Sequence, residues 1–217
     1  MSAATLAEPL ALVVTTAGWA ITAGYAHRQH HHAHTDTLTG LANRDALAAL
    51  VRRGARRRAG AVGLVMVDID RFKTINDTHG HAAGNEVLRA LALRLAMIRR
   101  AGEVPIRLHG DELALWLGIL PTGPYGHRVA HLRAAAIHDA VSAPIPLSGH
   151  RLQVTVSTGP AVLPTHGLSL PALLAAADHA LYQAKQDTYV ATGTTLPTPA
   201  TTATSTARLR DTRKDVA

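Results

Sequence analysis

Residues 61–84 read AVGLVMVDIDRFKTINDTHGHAAG. A short apolar run, Ala61 to Val67, follows Gly60 and ends at Asp68, the pattern of a buried β-strand. Asp68-Ile69-Asp70 therefore stands at the strand's C-terminal end, where an acid is rarely a core residue because burying it unpaired is costly. Beyond it, Lys73 offers a cation for phosphate, and Asn76 and Asn85 offer paired donors and acceptors suited to a base edge. Gly80 and Gly84 bracket a tight turn into the next helix. The same residue types also build ordinary turns and caps, so both readings of this stretch stay open here.

Working outward, Ile106 to Leu108 and Leu113 to Leu117 flank His109-Gly110-Asp111-Glu112, the layout of a hairpin. If its strands neighbour the strand ending at Asp68, then Asp68 and Asp111 converge. Two hard oxygen ligands with open positions for phosphate suit Mg²⁺; two ordinary loop acids are the other reading. Helical apolar spacing recurs over Leu41 to Val51, Ala82 to Ile98, His127 to Ala143 and Leu170 to Ala184. Leu152, Val154 and Val156 alternate with polar residues as in a half-buried strand. From Asp36 to about Lys185 the chain thus reads as alternating helix and strand.

Composition limits the possible functions. At 217 residues, 47% hydrophobic and 17% charged, the chain is not wholly disordered and is long enough for one domain with a core. It has no Cys, which removes disulfides, thiolate nucleophiles and Cys-ligated zinc. The net charge of +7 raises nucleic acid, anionic lipid and phosphorylated ligands as partners. Its distribution separates them: residues 1–60 carry +4, whereas residues 61–186 carry only +2. The excess therefore belongs to a basic face near the N-terminus, including the Arg52 to Arg58 run, and no nucleic-acid partner is expected.

That face follows Pro9 to Ala26, 18 residues without a charge, close to the ~20 that cross a bilayer as a helix. Glu8 precedes the run and the positive charges follow it, the asymmetry of a single-pass signal anchor in the inner (plasma) membrane with the remainder cytoplasmic. An amphiphilic helix packed on a partner chain is the alternative. His27, His30, His31, His32 and His34 have no carboxylate arranged beside them and read as a solvated linker. The expected organisation is an apolar helix and His-rich linker over 1–35, a catalytic or binding domain over 36–187, and a disordered Thr/Ala/Pro-rich tail over 188–217.

Five ordered blocks carry a resemblance. Asp36-Thr37-Leu38-Thr39-Gly40-Leu41-Ala42-Asn43-Arg44 resembles the opening motif of the GGDEF family, the diguanylate cyclases. Asp68 to Gly84 resembles its metal and guanine segment, and Arg107-Leu108-His109-Gly110-Asp111-Glu112-Leu113 its signature hairpin. Val154 to Gly159 and Ala177 to Lys185 resemble its closing blocks. The resemblance implies an α/β (α+β) fold like the nucleotide-cyclase and polymerase palm, a mostly antiparallel sheet flanked by helices. It implies condensation of two GTP molecules to cyclic di-GMP by a homodimer, one GTP per subunit, with Mg²⁺ (or Mn²⁺). By position, Asp68, the Ile69 carbonyl and Asp111 would bind metal, and Asp111 and Glu112 would polarise the attacking 3′-hydroxyl. Lys73 and Lys185 would face the triphosphate; Asn76 and Asn85 would read guanine, with Phe72 among the substrate-binding residues.

The chain departs from the family pattern in the signature, where His109 replaces Gly and Leu113 replaces Phe. Asn85 stands where the family has Asp, and Thr188-Tyr189-Val190 where it has Gly-Arg-Asn. Arg100-Ala101-Gly102-Glu103 occupies the place of the family's product-inhibition motif, with Glu for Asp, so Arg100 and Glu103 are its candidates here. The expectation is a diguanylate cyclase of reduced activity; the alternative is an inactive GGDEF domain that binds GTP or cyclic di-GMP and signals by contact.

Overall fold

The computed structural model describes residues 34–147 and 150–192. The expected anchor over 9–26, most of the His-rich stretch and the tail beyond 192 lie outside the described residues. Helix α1 (Arg44–Ala55) leads to β1 (Ala61–Ile69), α2 (Phe72–Ile98) and the pair β2 (Val104–His109) and β3 (Glu112–Leu120). Helix α3 (Pro124–Val141), the short strands β4 (Ile145–Leu147) and β5 (His150–Leu152), β6 (Val156–Pro164) and α4 (Leu170–Thr192) follow.

The main sheet has the order β2-β3-β1-β6, every neighbour antiparallel, with β1 central. Alternation along β1 builds two core layers. Val65, Val67 and Ile69 face Val87, Leu91 and Leu95 of α2 and Ala134 and Ile137 of α3. Val62, Leu64 and Met66 face Leu47 and Val51 of α1 and Leu173, Ala177 and Leu181 of α4. Seven successive residues, Ala61 to Val67, are buried, as a strand covered on both faces requires. The mostly antiparallel sheet flanked by helices is the expected fold.

Three local readings shift. The helix expected from Ala82 begins at Phe72 and runs to Ile98, with a kink at Gly80 (φ 82°). Residues 72–79 are therefore helical, and the turn expected between Gly80 and Gly84 reduces to that kink. Phe72 and Ile75 are packed against the core, and that packing outweighs the turn preference of Asn76 and Asp77. The strand expected through Leu152, Val154 and Val156 is broken: β5 ends at Leu152 and β6 starts at Val156. Val154 and Val156 are buried all the same, but the Gln153 amide donates to the Ser142 carbonyl and the Thr155 carbonyl accepts from the Asp70 N–H. Helix α4 continues past Asp187, where the composition shifts, to Thr192.

Candidate functional site

Strand pairing brings the acidic residues together. Across the sheet, Asp68 at the end of β1 is paired with Glu112 on β3 and with Ser157 on β6. The hairpin turn between β2 and β3 places Asp111 next to Glu112, and Gly110 there has φ +50°, a left-handed conformation that Gly takes without a Cβ penalty. His109, by contrast, has no positive φ. It ends β2, and its exposed ring puts Nε2 3.2 Å from Glu112 Oε2. The first signature position thus needs no glycine conformation in this chain; its His makes a partner for the second signature acid.

Helix α4 reaches the same place from below the sheet. Lys185 Nζ lies 2.7 Å from Asp68 Oδ1, with both side chains largely buried. Burial pushes the Asp68 carboxyl above the usual carboxylate range; Lys185 opposes that rise, while Asp111 and Asp70 add to it. Burial likewise raises Glu112, with His109 opposing and Asp178, Asp68 and Asp111 adding. The site is a desolvated group of carboxylates whose charge the nearby cations do not fully balance, and such a group attracts a further cation. Among the described residues, no three His, Asp or Glu form a ready-made metal cluster. The donor set therefore fits an ion held by one or two carboxylates that completes its shell from phosphate oxygens and water, the habit of Mg²⁺. Asp68 and Asp111, the carboxylates that the resemblance would give such an ion, lie near one another. Ile69 is buried within β1 and can offer only its backbone.

The base-edge candidates meet across the Gly80 kink. A Cβ at Gly84 would collide with Asn76 Oδ1 and come within 3.2 Å of Phe72 Cζ. Gly84 therefore lets segment 72–79 fold back on 81–98, bringing Phe72 and Asn76 beside the position next to Asn85. Asn85 and Lys73 are exposed. Arg100 is exposed as well, but Glu103 is not available beside it: its side chain is 6% exposed and points inward. Arg133 Nε donates to Glu103 Oε1 at 2.8 Å and its Nη2 to Oε2 at 2.7 Å, while the Arg100 N–H donates to Oε2 at 2.8 Å. The expected pairing of Arg100 and Glu103 as two ligand-facing side chains gives way to a buried Glu103–Arg133 ion pair.

Two site residues carried no role in the sequence reading. Arg107 Nη1 bonds Asp36 Oδ1 at 3.1 Å, and its Nη2 and Nε donate to the Gly110 carbonyl at 2.8 and 3.2 Å. Asp36 also accepts from the Thr39 N–H and hydroxyl at 2.9 and 2.6 Å. Burial works against its ionisation, but Thr39 and Arg107 outweigh that and hold the carboxyl below its usual range. Asp36 and Arg107 are 71 residues apart, and no spacing rule joins them. The one signal was that each stands inside a motif, with opposite charges.

Comparison with known proteins agrees with this geometry. The family model described as "Diguanylate cyclase, GGDEF domain" matches residues 33–189. The chain is 38% identical over 160 residues to the diguanylate cyclase TpbB of Pseudomonas aeruginosa, covering 72% of this chain and 36% of TpbB. It is 40% identical over 157 residues to the response regulator PleD of Caulobacter vibrioides, covering 70% of this chain and 34% of PleD. The chain thus spans about a third of the length of these curated relatives. Among solved structures, the coiled coil and GGDEF domain of DgcB from Caulobacter crescentus, in complex with c-di-GMP, superposes with a TM-score of 0.70 at 28% identity, covering 82% of this chain and 94% of that one.

Proposed function

The chain belongs to the GGDEF domain family, and from that premise we propose that it is a diguanylate cyclase, joining two GTP molecules into cyclic di-GMP with release of two pyrophosphates. The observation that carries the reading is the convergence of Asp68, Asp111 and Glu112 at paired strand ends, with Lys185 delivered to the same point by α4. Phosphoryl transfer of this kind needs positioning and charge neutralisation more than covalent help.

Asp68 and Asp111, with the Ile69 carbonyl, would hold Mg²⁺ or Mn²⁺, which would supply positive charge to the phosphate oxygens. Asp111 and Glu112 polarise the 3′-hydroxyl. Burial and its acidic neighbours raise the Glu112 carboxyl. Lys73 and Lys185 meet the triphosphate. Asn76 and Asn85 read guanine, with Phe72 behind them. Asn85 presents an N–H₂ where a carboxylate would accept from both guanine donors, which costs on the order of 1–2 kcal/mol of base affinity. The His109 ring sits against Glu112, Nε2 3.2 Å from Oε2. These two substitutions support a slow cyclase. Each chain carries one such site, so the reaction needs a head-to-head homodimer. Residues 9–26 anchor the chain in the plasma membrane with this domain on the cytoplasmic side. No helix among the described residues is long and apolar enough to cross a membrane.

The test is to incubate the purified protein with GTP and Mg²⁺ and identify the product. Cyclic di-GMP from the wild type and none from Asp111→Ala is expected. GTP binding by calorimetry with no product from the wild type would replace the cyclase with a nucleotide-holding module.

A further inference from the structure

Beside segment 72–79 lies a cavity of about 680 Å³, within the ~300–1,000 Å³ typical of small-molecule sites. Its walls are residues 70–79, His138 of α3 and the stretch from the end of β5 into β6. Ile75, Leu152, Val154 and Val156 supply apolar lining. Arg71, His79 and His138 supply cationic or protonatable groups. None of the residues given nucleotide or metal roles above lines it.

The charge of this wall decides what it takes. The Arg71 and His79 side chains make no hydrogen bond or ion pair among the described residues. Asp70 is the one carboxylate in the lining, and its Oδ1 already accepts from the Ser157 hydroxyl at 2.7 Å. His138 is oriented by its Nδ1, 3.0 Å from the Val156 carbonyl. Arg71 is also the only non-glycine described residue with a positive φ, 56°, a conformation that costs energy and tends to be kept at binding sites.

We propose that this cavity binds a small amphiphilic anion, an apolar body with a single carboxylate or sulfonate group, whose charge meets Arg71 and the two His and whose body covers Ile75, Val154 and Val156. The cavity is mechanically joined to the nucleotide site. Val156 and Ser157 pair directly with Ile69 and Asp68 of β1, and segment 72–79, which helps to line the cavity, also carries Phe72 and Asn76 against Gly84. An occupant therefore shifts nucleotide affinity; this consequence rests on the function proposed above, whereas binding in the cavity does not.

The test uses the full chain and the fluorescent probe 1-anilinonaphthalene-8-sulfonate. Saturable binding, displaced by octanoate and not by octylammonium, is expected. Thr78→Trp, which fills the cavity from its exposed wall, should abolish it. Arg71→Gly keeps the left-handed backbone while removing the guanidinium, and should weaken octanoate about tenfold without weakening octanol. Calorimetry with GTP should show at least a twofold shift in affinity on adding octanoate to the wild type and no shift in Thr78→Trp. Probe binding unchanged in Thr78→Trp, or displacement by octylammonium as readily as by octanoate, overturns the proposal. Failure of GTP to bind at all would instead overturn the proposed function, and the displacement result would still decide the cavity.

Discussion

Arg107 joins Asp36 to the turn that carries the acidic signature: its guanidinium bonds the Asp36 carboxylate at 3.1 Å and the Gly110 carbonyl at 2.8 Å. The residue that fixes the hairpin is therefore itself fixed by the segment that enters the domain. Arg107→Ala should lower stability by about 1–3 kcal/mol, because a part-buried carboxylate loses its cation. It should also reduce turnover more than GTP affinity, because the hairpin that carries Asp111 loses its brace. A double-mutant cycle with Asp36→Ala, read by chemical denaturation, should give a coupling of about 1–2 kcal/mol. Additive losses would mean the pair does not act as a unit.

The Glu103–Arg133 pair is buried on both sides, 6% and 5% exposed. Removing one member leaves the other charged in the core, so Glu103→Ala should cost about 3–5 kcal/mol. Replacing both with apolar residues, Glu103→Leu with Arg133→Met, should recover much of that loss. Melting temperatures of the three variants check this; equal destabilisation by the single and double changes would contradict it.

Lys185→Met should destabilise the metal-free protein at neutral pH by about 1–3 kcal/mol, since Asp68, whose charge burial already disfavours, loses a partner 2.7 Å away. The loss should shrink as the pH is lowered and the Asp68 carboxyl becomes protonated. Denaturation at two pH values distinguishes this from a packing defect, which would cost the same at both.

The pH dependence has two opposite parts. Asp68 and Glu112 are raised in the folded protein, so above the usual carboxylate value of about 4 the folded chain binds more protons than the unfolded one. Stability of the metal-free protein should therefore fall as the pH rises through their folded values. Asp36 is lowered, and its contribution is present above the usual carboxylate range and is lost as pH falls through its folded value. A divalent ion should offset the first effect. At ten times its dissociation constant, Mg²⁺ should add about 1.4 kcal/mol near neutral pH, and Asp111→Asn should lose that gain. Thermal melts with Mg²⁺ and with chelator across the pH range measure both.

His109→Gly should free Glu112 from its contact with the imidazole, and Asn85→Asp should place a carboxylate at the proposed guanine contact. Together they should raise cyclic di-GMP formation several-fold over the wild type, measured by product chromatography. No gain would show that these two substitutions are not what limits the enzyme.

Much of this molecule was legible in the chain itself. Seven apolar residues ending in Asp68, and two short apolar runs around Gly110-Asp111, fixed β1 and the hairpin, because periodicity and turn chemistry act over a few residues. Five motif blocks identified the family. What the sequence left undecided depended on contacts distant along the chain. The helix that spacing placed from Ala82 starts ten residues earlier, at Phe72, because Phe72 and Ile75 find the core. Glu103 read as a ligand-facing acid and turned inward because Arg133, 30 residues on, meets it in the interior. Arg107 reaches Asp36, and Lys185 reaches Asp68 across 117 residues. A side chain's partner is set by where the packed elements bring it, and that is decided only when the sheet, its two helical layers and the kink at Gly80 assemble together.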